Sequence, residues 1–210
     1  MDYNKIQANL TRRGYIPYFA ATKEEAKTLV MDEILKDVKT IGKGGSNSLK
    51  ESGIWDALVE RDARTDDSRI EMFSTTLYIQ KGLDPDVALE KGMTADAYIC
   101  SSNVMTEKGT FINIDGIGNR VGAMIYGPKK IVLIVGKNKI HKTFDEAWDY
   151  LKNVACQLHA KRHENVAYEK AGKCVDCDNE HRMCRITSIM DWALPEREYH
   201  IVLVDEHLGY

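Results

Sequence analysis

Three stretches of the chain hold residue types that can do chemistry. The first is residues 109–136, GTFINIDGIGNRVGAMIYGPKKIVLIVG. A strand-like run, 110–115, ends on Asn113 and Asp115, and Asp115-Gly116-Ile117-Gly118-Asn119-Arg120 forms a glycine turn. Val121, Met124 and Ile125 then recur at helical spacing. Where a strand's carboxyl end meets a helix's amino end, backbone N–H groups point outward and favour an anion. Arg120 adds a fixed positive charge suited to a carboxylate or phosphate. The plainer alternative is a tight turn whose glycines only permit positive φ.

The second stretch repeats the junction. Residues 38–41 read as a short strand, and Gly42-Lys43-Gly44-Gly45-Ser46-Asn47-Ser48-Leu49 follows at once. Ser46 is placed to cap the next helix, and Gly44, Gly45 and Ser46 offer a cradle of backbone N–H groups. The spacing is not that of a Walker loop. The third stretch is Cys174-Val175-Asp176-Cys177-Asp178-Asn179-Glu180-His181-Arg182-Met183-Cys184. Two sulfurs three residues apart can chelate one ion from a turn, and Cys184 would close the site. Zinc or an iron–sulfur cluster would need a fourth ligand. Cys156, His159, His163, His181 and Cys100 are the candidates; the alternative is a loop of reduced thiols. Asp62, Asp66 and Asp67 are spaced too irregularly for a metal and read as a solvated loop.

These residues need elements to position them. Residues 2–13 read as a polar helix with Ile6 and Leu10 on one side, stopped by Gly14. Thr22 to Glu25 forms a capping box for a helix through Leu35. Residues 54–59 are ambiguous between strand and helix, 61–69 a charged loop, and 70–80 a helix. Asp84-Pro85 opens another helix, making a helical hairpin over the sheet. Residues 95–100 form a strand closed by Ser101-Ser102-Asn103, and 131–135 a buried apolar strand. Thr143 to Glu146 is a second capping box. Strands at 185–189 and 199–204 end the chain, the last running into Asp205-Glu206.

Strands at 38–41, 95–100, 110–115, 131–135 and 199–204 alternate with helices, which predicts an α/β fold with a largely parallel sheet. Ligands of such sheets bind outside the carboxyl ends of the strands. Each of those ends carries polar or glycine residues: Gly44 to Ser46, Ser101 to Asn103, Asp115 to Arg120, Lys137-Asn138 and Asp205-Glu206. Together they predict a pocket for a small anionic ligand. A dinucleotide is disfavoured, because Gly116-x-Gly118 lacks a glycine at 121.

Composition narrows the classes. The 210 residues suit one domain, or one with a small subdomain. Charges of both signs are mixed, with a net charge of −3, and no basic stripe suggests nucleic acid. No apolar run reaches membrane-spanning length, and the start lacks the apolar region of a signal peptide. A cytoplasmic protein with no membrane or nucleic-acid partner is expected. Its five cysteines are then reduced or metal-bound rather than disulfide-paired.

The combination GGSNSL at 44–49, TADAYICSSNVMTEKGTFINIDGIGNRVGAMIYGPKKIVLIVGKNKI at 94–140, CVDCDNEHRMC at 174–184 and HIVLVDEHLGY at 200–210 resembles the LUD-domain (lactate utilisation, LutC/YkgG-like) family, formerly a domain of unknown function. The resemblance implies a single domain over 1–210, with a helical N-terminal segment (1–37) and a cysteine-bearing loop (165–190). It implies a fold like the ribose-5-phosphate isomerase, glucosamine-phosphate deaminase and CoA-transferase group. It also implies a role in oxidising L-lactate to pyruvate, as an accessory subunit beside other lactate-utilisation subunits. By analogy with the fold group, a stand-alone enzyme on a sugar phosphate or CoA ester is the alternative, and a cysteine-based metal or redox protein is a third. Several family members carry a fourth cysteine a few residues before the C-x2-C; here that place reads Val166-Ala167-Tyr168.

Overall fold

The computed structural model describes residues 1–162 and 173–210; His163 and the stretch at 166–168 lie outside them. The chain begins with α1 (Tyr3–Arg12), β1 (Ile16–Ala20) and α2 (Lys23–Thr28), whose last turns widen into a π-helical segment, Leu29–Ile34. Then come β2 (Thr40–Lys43), α3 (Asn47–Glu51), α4 (Ile54–Asp62), β3 (Glu71–Phe73), α5 (Thr75–Gln80) and α6 (Pro85–Thr94). The central run is β4 (Ala97–Cys100), β5 (Val104–Thr106), β6 (Phe111–Asp115), α7 (Asn119–Tyr126) and β7 (Lys130–Gly136). A 3-10 turn at Lys137–Lys139, β8 (Ile140–His141), α8 (Phe144–Tyr150), α9 (Cys156–Arg162), β9 (Ile186–Met190) and β10 (Glu198–Val204) complete the described elements.

Six strands form an all-parallel sheet in the order β1-β10-β7-β4-β2-β3. It is an α/β fold, as the alternation of strands and helices predicts. Alternate residues of the central strands go to opposite faces. Val132, Ile134, Val202 and Val204 pack under α2 to α4, whereas Ile131, Leu133, Val135, Ile201 and Leu203 pack against α1 and α7. Both faces are covered, which explains the continuous apolar runs at β7 and β10.

One expectation is overturned. The strand at 110–115 does not belong to the parallel sheet. β6 lies in a second, four-stranded sheet ordered β8-β5-β6-β9, antiparallel to both neighbours. The three-residue β5 is too short to stand out in sequence. It pairs with β6 across the turn at Gly109, where φ is +89°. Phe111 and Met105 face the parallel sheet, and Val104 and Ile112 face α8 and α9. A second correction concerns 70–80, where β3 precedes α5. Met72 and Phe73 are buried beside β2, and sheet pairing overrides the helical reading. The ambiguous segment at 54–59 is helical.

Gly42 and Gly92 let β2 and α6 touch. A Cβ on Gly42 would lie 2.5 Å from the Gly92 carbonyl oxygen and 2.7 Å from its Cα. Gly42→Ala is therefore expected to destabilise the fold by about 1–3 kcal/mol, because backbone is what it strikes. A thermal or urea melt measures this.

Candidate functional site

Consecutive connections run in opposite directions from β2 and β4. β2 leads by α3 and α4 to the edge strand β3, whereas β4 leads towards β7. A crevice opens at such a point beyond the carboxyl ends of the strands. There the structure holds a cavity of about 480 Å³. Its walls include Gly45 and Ser46 after β2, Ser101 to Asn103 after β4, and Asp115, Gly116, Asn119 and Arg120 after β6. Although β6 lies in the other sheet, its end meets the same space, because the two sheets adjoin there.

The glycine turn is built as the sequence suggests, with one addition. Gly118 takes a left-handed φ of +83° at the N-cap of α7. The anion attracted by the helix start is the chain's own: Asp115 Oδ2 accepts from the Arg120 N–H at 3.1 Å and the Val121 N–H at 3.0 Å. Its other oxygen accepts from Arg120 Nη2 at 2.7 Å. Arg120 Nη2 also donates to Asn103 Oδ1 at 2.8 Å and the Ile114 carbonyl at 3.0 Å. Arg120 Nη1 donates to Asn113 Oδ1 at 2.8 Å and the Ser101 carbonyl at 3.1 Å. Arg120 thus lines the cavity while both terminal nitrogens tie the loops after β4 and β6 together.

Other predicted residues divide by burial. Gly45 is open: a Cβ there would meet nothing within 4 Å. Ser46 caps α3, its Oγ accepting from the Leu49 N–H at 3.3 Å. Ser102 is buried and donates to the Val104 carbonyl at 2.8 Å. Gly44 and Gly118 are not among the residues that line the cavity. Asp205 and Glu206 are spent elsewhere: Asp205 accepts from the Tyr3 hydroxyl at 3.0 Å, and Glu206 from the Lys23 N–H at 3.1 Å.

The residue that sequence reasoning missed is Lys139. It is 4 % exposed, yet it lines the cavity. Its Nζ donates to Ser48 Oγ and Ser101 Oγ, each at 2.9 Å, and to the Ser102 carbonyl at 3.3 Å. Burial, followed by the charge of Arg120, pushes its ammonium from 10.5 down to about 7. Lys137, Lys139 and Lys142 look alike in sequence; the 3-10 turn after β7 aims one of them inward. Lys43 and Lys50 also border the cavity.

The cysteine stretch reaches the same region. Cys156 and Cys184 line the cavity with their sulfurs 3.8 Å apart, and the Cys184 contact with burial raises the Cys156 thiol. Cys174 accompanies Asn153, whose Oδ1 accepts its N–H at 3.2 Å. Cys100 is fully buried in β4, where burial pushes its thiol up to about 12. Among the described residues, no three of His, Cys, Asp and Glu gather as metal ligands do.

The family model described as the LUD domain matches residues 3–204. Among solved structures, the crystal structure of a DUF162 family protein from Deinococcus radiodurans is similar. It shares 13 % identity with a TM-score of 0.50, over 96 % of this chain and 95 % of that one. No curated protein matches the chain. Among the described residues, no helix is long and apolar enough to cross a membrane.

Proposed function

The chain belongs to the LUD-domain family, one associated with lactate utilisation, and from that premise we propose that it is a small-anion-binding subunit of a lactate-utilising system. The ligand is a small carboxylate or phosphorylated compound seated in the cavity between the two sheets. Redox chemistry falls to partner subunits, since no flavin or nicotinamide fingerprint stands in the sequence.

The observation that carries this reading is Lys139. A buried ammonium with only neutral acceptors in hydrogen-bond contact is costly. An anion entering the cavity would lower that cost and return the lysine to its charged form. The Asp115 carboxylate is already matched by Arg120 at 2.7 Å, so it does not neutralise Lys139 by contact. Lys43 and Lys50 add positive potential at the walls. A volume of about 480 Å³ is ample for such a ligand.

The test is a titration of the purified protein with L-lactate, pyruvate and inorganic phosphate, followed by calorimetry and thermal shift. Binding is expected to be tightest below pH 7 and to weaken about tenfold for each pH step above it, as Lys139 loses its proton. Sugar phosphates and CoA esters belong in the same screen. Turnover of a sugar phosphate without a partner would replace the accessory role with a stand-alone enzyme. No binding of any anion between pH 5 and 9 would remove the reading.

A further inference from the structure

We propose that Ser101 and Lys139 form a nucleophile and base pair for acyl transfer, acting on small carboxylic esters or thioesters in this cavity. The inference rests on the cavity being a ligand site. The two atoms are 2.9 Å apart, and both residues line the cavity. Ser48, the other hydroxyl beside Lys139, is absent from the lining and is tied to the Leu208 carbonyl at 3.0 Å.

The hydrogen bonds close for either protonation state. With a charged Lys139, three N–H groups go to Ser48 Oγ, Ser101 Oγ and the Ser102 carbonyl, and the Ser101 hydroxyl donates to the Ser102 carbonyl at 2.9 Å. With a neutral amine, two N–H groups keep Ser48 and Ser102, and the lone pair accepts the Ser101 hydroxyl proton. No heavy atom has to move between these states. A lysine serving only as a structural charge is ordinarily held by a carboxylate. Here the contacts are a hydroxyl pair and a carbonyl. The charge of Arg120 also acts on Lys139, as does that of Glu51 from α3, and the neutral Cys100 thiol lies near it.

The chemistry balances with water as the co-reactant. Ser101 Oγ attacks the acyl carbon while Lys139 Nζ takes the hydroxyl proton. The bond to the alcohol or thiol breaks, and Lys139 returns the proton to that leaving group. Water then attacks the acyl-serine with Lys139 again as base, releasing the carboxylic acid and restoring Ser101. The product is a small carboxylate, formed beside the lysine assigned above to anion binding.

The experiment treats the full chain with a fluorophosphonate, follows intact mass and peptide mapping, and measures p-nitrophenyl acetate hydrolysis against pH. One phosphonyl group on Ser101 is expected, absent from S101A and K139M. The hydrolysis rate should rise with pH through about 7, opposite to the trend for anion binding. S101A leaves Lys139 its Ser48 and Ser102 partners, and a thermal melt verifies folding. No labelling of folded wild-type protein, labelling retained in K139M, or labelling on Ser48 overturns the pair. Anion binding without labelling overturns the pair and leaves the cavity reading intact. Labelling without anion binding upholds the pair and a cavity that takes a ligand, and overturns only the assignment of that ligand as a free anion.

Discussion

Arg120→Met is expected to destabilise the fold by about 3–5 kcal/mol, because it takes the guanidinium from the buried Asp115 carboxylate and leaves that charge only two backbone N–H donors. Arg120 and Asp115 are both buried, each at 8 % exposure. Removal of the guanidinium also takes a donor from Asn103, Asn113 and the carbonyls of Ser101 and Ile114. For a chain of this size the loss corresponds to a fall in Tm of roughly 6–20 °C. Arg120→Lys should recover little, since an ammonium cannot fork to acceptors on two loops at once. A urea melt monitored by circular dichroism measures both variants. Wild-type stability in the Met variant would mean that the loops hold together without the guanidinium.

Lys139→Met should do the opposite. It is expected to remove most anion affinity, by tenfold or more, while leaving the fold as stable as before or more so below pH 7. The wild-type chain buries an ammonium in that range, and methionine does not. Neither serine hydroxyl is orphaned, because Ser48 retains the Leu208 carbonyl and Ser101 the Ser102 carbonyl. The sign of the pH dependence follows from burial. Between about 7 and 10.5 the unfolded chain holds a proton on Lys139 that the folded chain does not. Stability therefore rises with pH across that window in the wild type. The variant should lack this contribution. Equal slopes for both proteins would show that Lys139 keeps its proton in the fold. Unchanged anion affinity in the variant would place the ligand elsewhere.

Much of this arrangement can be read from the residues. Thr22, Ser46, Asp84 and Thr143 are all observed as caps, because a short polar side chain before a helix has one favoured partner close in sequence. Gly45 and Asn103 line one cavity because they follow neighbouring strands of one sheet, whereas Arg120 reaches it from the end of β6 in the other sheet, a route the strand pattern does not give. The assignment of β6 to its sheet was not legible. Its apolar residues suit either sheet, and the antiparallel pairing depends on β9, some 70 positions later, with Asp115 opposite Ile186. Non-local pairing of that kind leaves no mark in periodicity. Lys139 was hidden for a different reason. Burial of a lysine is decided by the neighbours that enclose it, here Ser48 and Ser101 from distant segments.

The parallel and mixed sheets meet along a seam, and the side chains of Arg120, Asn103 and Asn113 fasten segments from both there. A molecule lodged in that seam would touch Gly45 and Ser101 on one side and Gly116 and Asn119 on the other. It would act as a keystone: whatever free energy the visitor releases also resists prising the two halves apart. In this design, occupancy and mechanical cohesion become one property.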